Sequence, residues 1–220
     1  MALSLHGAAH RVPYEFRDKN GRTLHLRKLD VDLHEALLGM YLAFQPRNCF
    51  QGLPPIRDEV CTRWVHDMVR DAVNLVVCDT GLVLAGPDKR DARPTVLGHA
   101  ALFPINDEKC EMLVVVSPDH QNHGAGTALV RACIRTAEEQ GFQRIWLPVA
   151  ATNVRARHVY EKCGFEYVSR GLSRELEMAR ELQPCRPMAV EMTVLDQSLT
   201  AIRPVLPRHE SRSCTSGFPA

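Results

Sequence analysis

Residues 111–165 read EMLVVVSPDHQNHGAGTALVRACIRTAEEQGFQRIWLPVAATNVRARHVYEKCGF, and the reading of this stretch decides the fold. Four pieces follow one another with almost no slack. Residues 112–116 form an apolar, β-branched run at the length of a buried strand. Ser117-Pro118 ends it, because proline cannot donate to a ladder. Gln121 to Gly126 is a glycine-bearing loop that opens into a helix over 127–140, with Leu129, Val130, Cys133, Ile134 and Ala137 at helical spacing. Residues 144–147 are a second strand, and Asn153 can cap a shorter helix that ends at Gly164.

The loop has a chemistry of its own. A helix start leaves several backbone N–H groups unpaired and carries the positive end of the peptide dipole. Gly124 and Gly126 have no Cβ and let an anion descend onto those groups, a phosphate or pyrophosphate being the natural guest. No Gly-Lys-Ser/Thr follows the loop, which argues against a nucleotide-hydrolysing P-loop. GxGxxG is absent, which argues against a nicotinamide fold.

Gln121-x-x-Gly124-x-Gly126 resembles the pyrophosphate-binding signature (Gln/Arg-x-x-Gly-x-Gly/Ala) of the GNAT family of N-acetyltransferases. Downstream, Asn153-x-x-Ala156-x-x-x-Tyr160-x-x-x-Gly164-Phe165 resembles that family's second signature position for position. The resemblance implies a single α/β domain, with a central mixed, mostly antiparallel twisted sheet and helices on both faces. It also implies acetyl-CoA as co-substrate, no metal, and a primary amine as acceptor. Gln121, Asn122, His123, Gly124, Ala125, Gly126 and Thr127 are then expected around the pyrophosphate, although His123 also suits a solvent-facing position. The backbone of Val114, Val115 and Val116 is expected along the pantetheine arm and the thioester carbonyl. Asn153 would bind the arm, cap its helix, or do both.

Acetyl transfer to an amine meets one physical obstacle, the amine's proton. A lysine-like ammonium is only about one part in a thousand neutral near pH 7.4, a handicap of roughly 4 kcal/mol. A carboxylate near the nucleophile can take that proton. Glu111 is the candidate, with Glu108 and Asp107 as fallbacks. Many small-molecule enzymes of the family place this glutamate one residue further from the loop, at the position of Cys110. The Glu111 spacing is more similar to bacterial protein-lysine acetyltransferases, so a protein lysine is the expected acceptor, with a small-molecule amine as the alternative. A one-residue shift flips a side chain to the other face of a regular strand, and a bulge would restore it. At the leaving group, Tyr160 stands where the family keeps a general acid. A non-catalytic acyl-CoA sensor is the rival class, and it would be marked by a lost acid or a broken glycine loop.

Composition narrows the classes. In 220 residues, 45% are hydrophobic, enough for a full core. The net charge is +1 and no basic stripe interleaves with aromatics, so no nucleic-acid partner is expected. No apolar run approaches the roughly 18 residues of a membrane span, and no signal peptide is read. A cytoplasmic protein without a membrane partner is expected, with a homodimer admitted as its assembly. Eight scattered cysteines without CxxC, and His120 and His123 three apart without further ligands at the usual intervals, give no zinc or disulfide framework.

The expected organisation is an arm over 1–21, the catalytic domain over 22–195 and a disordered tail over 196–220. The arm reads either as a lead-in strand or as loose chain. Residues 23–29 alternate as a strand, and Asp30 or Asp32 is placed to cap a helix carrying Leu33, Leu37, Met40, Tyr41 and Phe44. Asp58 begins a second helix with Cys61, Trp64, Val65 and Met68 on one side. The family resemblance makes Phe50, Gln51, Gly52 and Leu53, between these helices, candidates for an acceptor wall; a plain surface loop is the other reading. Residues 74–79 and 95–105 are strands, with Gly98 the weak point of the second and a polar hairpin loop at 86–94. Residues 170–186 hold good helix formers and are expected as a helical excursion. Residues 188–195 alternate as a final strand.

Overall fold

The computed structural model describes residues 12–47, 53–79, 94–168 and 174–183. Their strands are β1 (Tyr14–Arg17), β2 (Thr23–Lys28), β3 (Val73–Asp79), β4 (Thr95–Pro104), β5 (Lys109–Val116), β6 (Arg144–Ala150), β7 (Glu166–Tyr167) and β8 (Glu175–Glu181). Their helices are α1 (His34–Leu42), α2 (Asp58–Asp71), α3 (Ala125–Glu139) and α4 (Val154–Lys162), with 3₁₀ turns at Val31–Leu33 and Pro118–His120. The strands form one sheet in the order β1-β2-β3-β4-β5-β6-β8-β7. Every pairing is antiparallel except β5 with β6, which the α3 crossover joins in parallel. This is the mixed, mostly antiparallel sheet expected from the sequence.

Strand alternation sorts the core into two layers. Cys110 and Met112 of β5 face α3 and α4, packing with Leu129, Val130, Cys133 and Tyr160. Val115 faces the other way, with Leu37 and Tyr41 of α1 and Cys61 and Val65 of α2. Helices therefore cover both faces of the sheet. Gly98 sits beside a bulge in β4, where Val77 pairs with Gly98 and Cys78 with Val96, leaving Leu97 extra. A Cβ at Gly98 would stand 3.1 Å from Leu129 and 3.3 Å from the Val115 carbonyl, so the glycine lets α3 lie close to the sheet.

One buried polar chain crosses the α1–α2 layer. Asn74 donates from Nδ2 to the Ala72 and Val69 carbonyls at the end of α2 (2.8 and 3.2 Å). Its Oδ1 is left as acceptor for His99 Nε2 at 2.9 Å. That assignment leaves His99 Nδ1 to accept from the Tyr41 hydroxyl at 2.8 Å. Burial pushes His99 down to about 3, so the ring is neutral.

Two expectations are revised. Residues 175–181 are strand, not helix. Their helix formers are overruled by a seven-residue ladder on β6, in which Met178 is buried in the core and Leu176 is half-buried against it. Neither Asp30 nor Asp32 caps α1: a 3₁₀ turn intervenes, and the Asp30 carboxylate is taken by Arg27. Residues 14–17 of the arm are a strand, and residues 1–11 lie outside the described residues. The expected hairpin loop (apart from Pro94), the 188–195 strand, the tail, and Phe50, Gln51 and Gly52 lie outside the described residues. Among the described residues no helix is long and apolar enough to cross a membrane.

Candidate active site

β5 and β6 pair only at Lys109–Arg144, Cys110–Ile145 and Glu111–Trp146. Beyond that, β5 stays with β4 as far as Val116, and β6 stays with β8 as far as Ala150. The two strands part, and each presents one unladdered edge to the gap. Pro148 belongs to this open stretch, where a missing N–H costs a strand least. The gap widens into a cleft of about 1470 Å³. Backbone N–H and C=O groups on its walls can complete an extended, amide-bearing ligand as a neighbouring strand would.

The glycine loop closes one end of the cleft. Ser117 donates its N–H to the Leu97 carbonyl at 2.9 Å, and the chain tightens through Pro118–His120. Gln121 turns back, its Nε2 donating to the Val116 carbonyl at 3.1 Å, while its Oε1 accepts from Arg155 at 3.4 Å. The Lys19 N–H holds the His123 carbonyl at 3.1 Å from the β1–β2 turn. Gly124 has φ 105°, a left-handed conformation that suits glycine, and hands the chain to α3. The N–H groups of Ala125, Gly126 and Thr127 find no acceptor among the described residues. A Cβ at Gly124 would meet nothing within 4 Å, so the space above the helix start is open. A phosphate fits there by position and by charge.

Gln121, Asn122, His123, Gly124, Gly126, Thr127 and Asn153 all line the cleft, as do Val114, Val115 and Val116. Ala125 does not: its side chain is buried in the core beneath the loop. Asn153 caps α4, its Oδ1 accepting the Ala156 N–H at 3.2 Å. The Nδ1 atoms of His120 and His123 are buried and find no partner among the described residues, and burial, helped by Arg22, lowers the His120 imidazole.

Glu111 and Tyr160 line the same cleft. β5 pairs with β4 without a shift from Cys110 to Val116, so the strand has no bulge there. Glu111 accordingly shares its face with Leu113 and Val115, on the α1–α2 side, while Cys110 is buried against α3. Burial, and then the Glu175 carboxylate, raise the Glu111 carboxyl above its ordinary range. Tyr160 is 7% exposed, its ring tilted 5.8 Å from Phe165, and burial raises its phenol. Glu108 and Asp107 belong to the exposed turn before β5 and do not reach the cleft. Leu53 lines it.

Sequence reasoning missed the basic groups. Arg17 and Lys19 reach the cleft from the β1 edge, Arg131 and Arg135 from α3, and Arg155 and Lys162 from α4. The signal available was the i,i+4 pair Arg131 and Arg135 on one side of a helix that begins at a phosphate loop. The others lie too far apart in the chain to be read as a group. Among the described residues no cluster of three or more His, Cys, Asp or Glu could hold a metal.

The sequence model of the acetyltransferase (GNAT) family matches residues 56–165, half of the chain. The [ribosomal protein bS18]-alanine N-acetyltransferase of Escherichia coli K12 is 38% identical over 72 residues, 31% of this chain and 49% of that protein. The spermidine N(1)-acetyltransferase of Vibrio cholerae is 35% identical over 78 residues, 34% of this chain and 45% of that protein. The matched region thus spans about half the length of these curated relatives. Among solved structures, yncA of Salmonella typhimurium, determined with its cofactor acetyl-CoA, superposes with a TM-score of 0.54 at 17% identity, covering 72% of this chain and 94% of that one.

Proposed function

This chain belongs to the acetyltransferase (GNAT) family, and from that premise we propose that it moves an acetyl group from acetyl-CoA to a primary amine by direct attack. The observation that carries the reading is the parting of β5 from β6, with an anion-ready helix start at one end and Glu111 and Tyr160 along its walls. A protein lysine is the acceptor we favour, on the spacing of Glu111 to the loop. Spermidine and a ribosomal-protein alanine, the acceptors in the relatives' names, support the amine class.

In this reading the unpaired N–H groups of Ala125, Gly126 and Thr127 hold the pyrophosphate, with Arg155 and Lys19 beside it. The open edge of β5 around Val114 and Val116 aligns the pantetheine arm and supplies N–H groups to the thioester oxygen as charge develops on it. Glu111 takes the ammonium proton, and its raised pKa makes it the stronger base. The amine nitrogen bonds to the thioester carbon, the carbon–sulfur bond breaks, Tyr160 protonates the departing sulfur, and the second proton shed by the nitrogen as the amide forms returns the tyrosine to its phenol form. Burial keeps the phenol protonated until that moment.

The test uses acetyl-CoA labelled in the acetyl group, incubated with the protein and a lysate of its host. Label is counted separately in precipitated protein and in the soluble fraction. Label in protein is expected. Label only among small molecules would replace lysine by a small amine, and binding without any transfer would overturn the catalytic reading.

A further inference from the structure

A second pocket, of about 360 Å³, shares Arg131, Ile134 and Lys162 with the wall of the cleft and is completed by Cys163, Gly164 and Arg180. Three elements each bring one cation to it: α3 brings Arg131, α4 ends in Lys162, and β8 supplies Arg180. None of the three has a carboxylate partner among the described residues. Arg22, Arg27, Arg47, Arg70, Arg135 and Arg144 each have one.

The local backbone is shaped to keep Arg180 there. Its Nη1 donates to the Cys163 carbonyl at the end of α4. Gly164 has φ 81°, a conformation that calls for glycine, and a Cβ there would stand 2.8 Å from that nitrogen and push the guanidinium aside. Arg131 approaches from the opposite wall: burial raises the Cys163 thiol, and the nearby guanidinium of Arg131 opposes that shift. Three like charges gathered without a counter-charge repel one another, and a bound anion reverses the sign of that interaction. Two guanidiniums and an ammonium on separate walls match the oxygens of a phosphate better than a single carboxylate.

We propose that Arg131, Lys162 and Arg180 form a pocket for a phosphate monoester. Two sources share this chemistry: the ribose 3′-phosphate of the coenzyme lying in the adjoining cleft, or a free phosphate. The first source rests on the coenzyme reading of the cleft; the pocket itself does not.

The experiment compares coenzyme A with 3′-dephospho-coenzyme A by calorimetry, and follows inorganic phosphate by its ³¹P linewidth. The wild-type chain is expected to bind coenzyme A at least roughly tenfold more tightly than the dephospho form, the scale of one charge-assisted hydrogen bond. Lys162→Gln with Arg180→Gln should remove that preference by weakening coenzyme A alone. The single exposed change Lys162→Gln should reduce it severalfold without the loss of Arg180's bond to Cys163. Equal affinities with phosphate broadening that the double variant abolishes would support the pocket with a free phosphate as its guest. Equal affinities and no phosphate broadening would overturn it. Failure of both coenzyme forms to bind would instead overturn the reading of the cleft, and the phosphate signal would then decide the pocket by itself.

Discussion

The wall of the cleft made by β5, its glycine loop and α3 is assembled from residues close in sequence, whereas the α1–α2 side is tied to the sheet by groups far apart. On the first wall, Gln121 bonds to Val116 five residues back, and Gly124 shapes the helix start by its own backbone conformation. In the α1–α2 layer, Tyr41, His99 and Asn74 come from α1, β4 and β3 and satisfy one another only after the sheet has formed. The difference teaches where each region is vulnerable. The local wall fails when its backbone or its space is altered. The α1–α2 layer fails when one polar partner is removed and the others stay buried.

The largest expected effect lies on the local wall. Gly124→Glu places a Cβ at φ 105° and a carboxylate where the pyrophosphate is proposed, and should abolish acetyl-CoA binding with the fold retained. Calorimetry beside a circular dichroism spectrum checks it, and unchanged affinity would remove the loop from coenzyme binding. Next, Tyr160→Phe should lower kcat about a hundredfold or more with KM within a few fold, because the ring still packs and only the proton is lost. Wild-type turnover would sink the general-acid role.

Glu111→Gln sharpens the comparison from the α1–α2 side. We expect a loss of roughly ten- to a hundredfold at neutral pH with an alkylamine acceptor. That loss should shrink toward high pH, where the amine arrives already neutral. Parallel pH profiles of kcat/KM for the two proteins would mean that Glu111 carries no proton.

The smallest effect on chemistry, and a clear one on stability, is expected from His99→Leu. It strands the Tyr41 hydroxyl and the Asn74 carbonyl in the core and should cost about 2–4 kcal/mol in urea unfolding. Coenzyme affinity of the folded protein should not change. The wild type carries a pH signature of the same group. The folded pKa of about 3 lies below the unfolded value, so the unfolded chain binds the proton first as pH falls. His99 therefore leaves stability intact above about pH 6.5 and erodes it from there down to about 3, at about 1.4 kcal/mol per pH unit. The leucine variant should lack this contribution, and an unfolding series from pH 7 to 4 would falsify the assignment if both proteins lost stability alike.

Much of this was legible in the chain. The loop, its two glycines and the Asn153 cap are local statements, each made by residues within a few positions of one another. They hold wherever the segment folds. Gly98 was legible as a weak point in a strand, though not that it makes room for Leu129. Residues 175–181 misled because their intrinsic preference is helical, and only the free edge of β6 decides otherwise. Glu111 was legible as a candidate, but its face was not. That depends on the unshifted register with β4, which no property of residues 109–116 alone determines.

The sequence by itself determined the phosphate-ready helix start, because backbone conformation at glycine acts over a few neighbouring positions, and its two signatures carried the family resemblance that implied the mixed sheet. Tertiary structure alone decided where β5 parts from β6, that the His99 ring is neutral, and that Arg131, Lys162 and Arg180 share one pocket. These are properties of distance and dielectric between residues remote in sequence, and neither exists until the sheet brings the segments together.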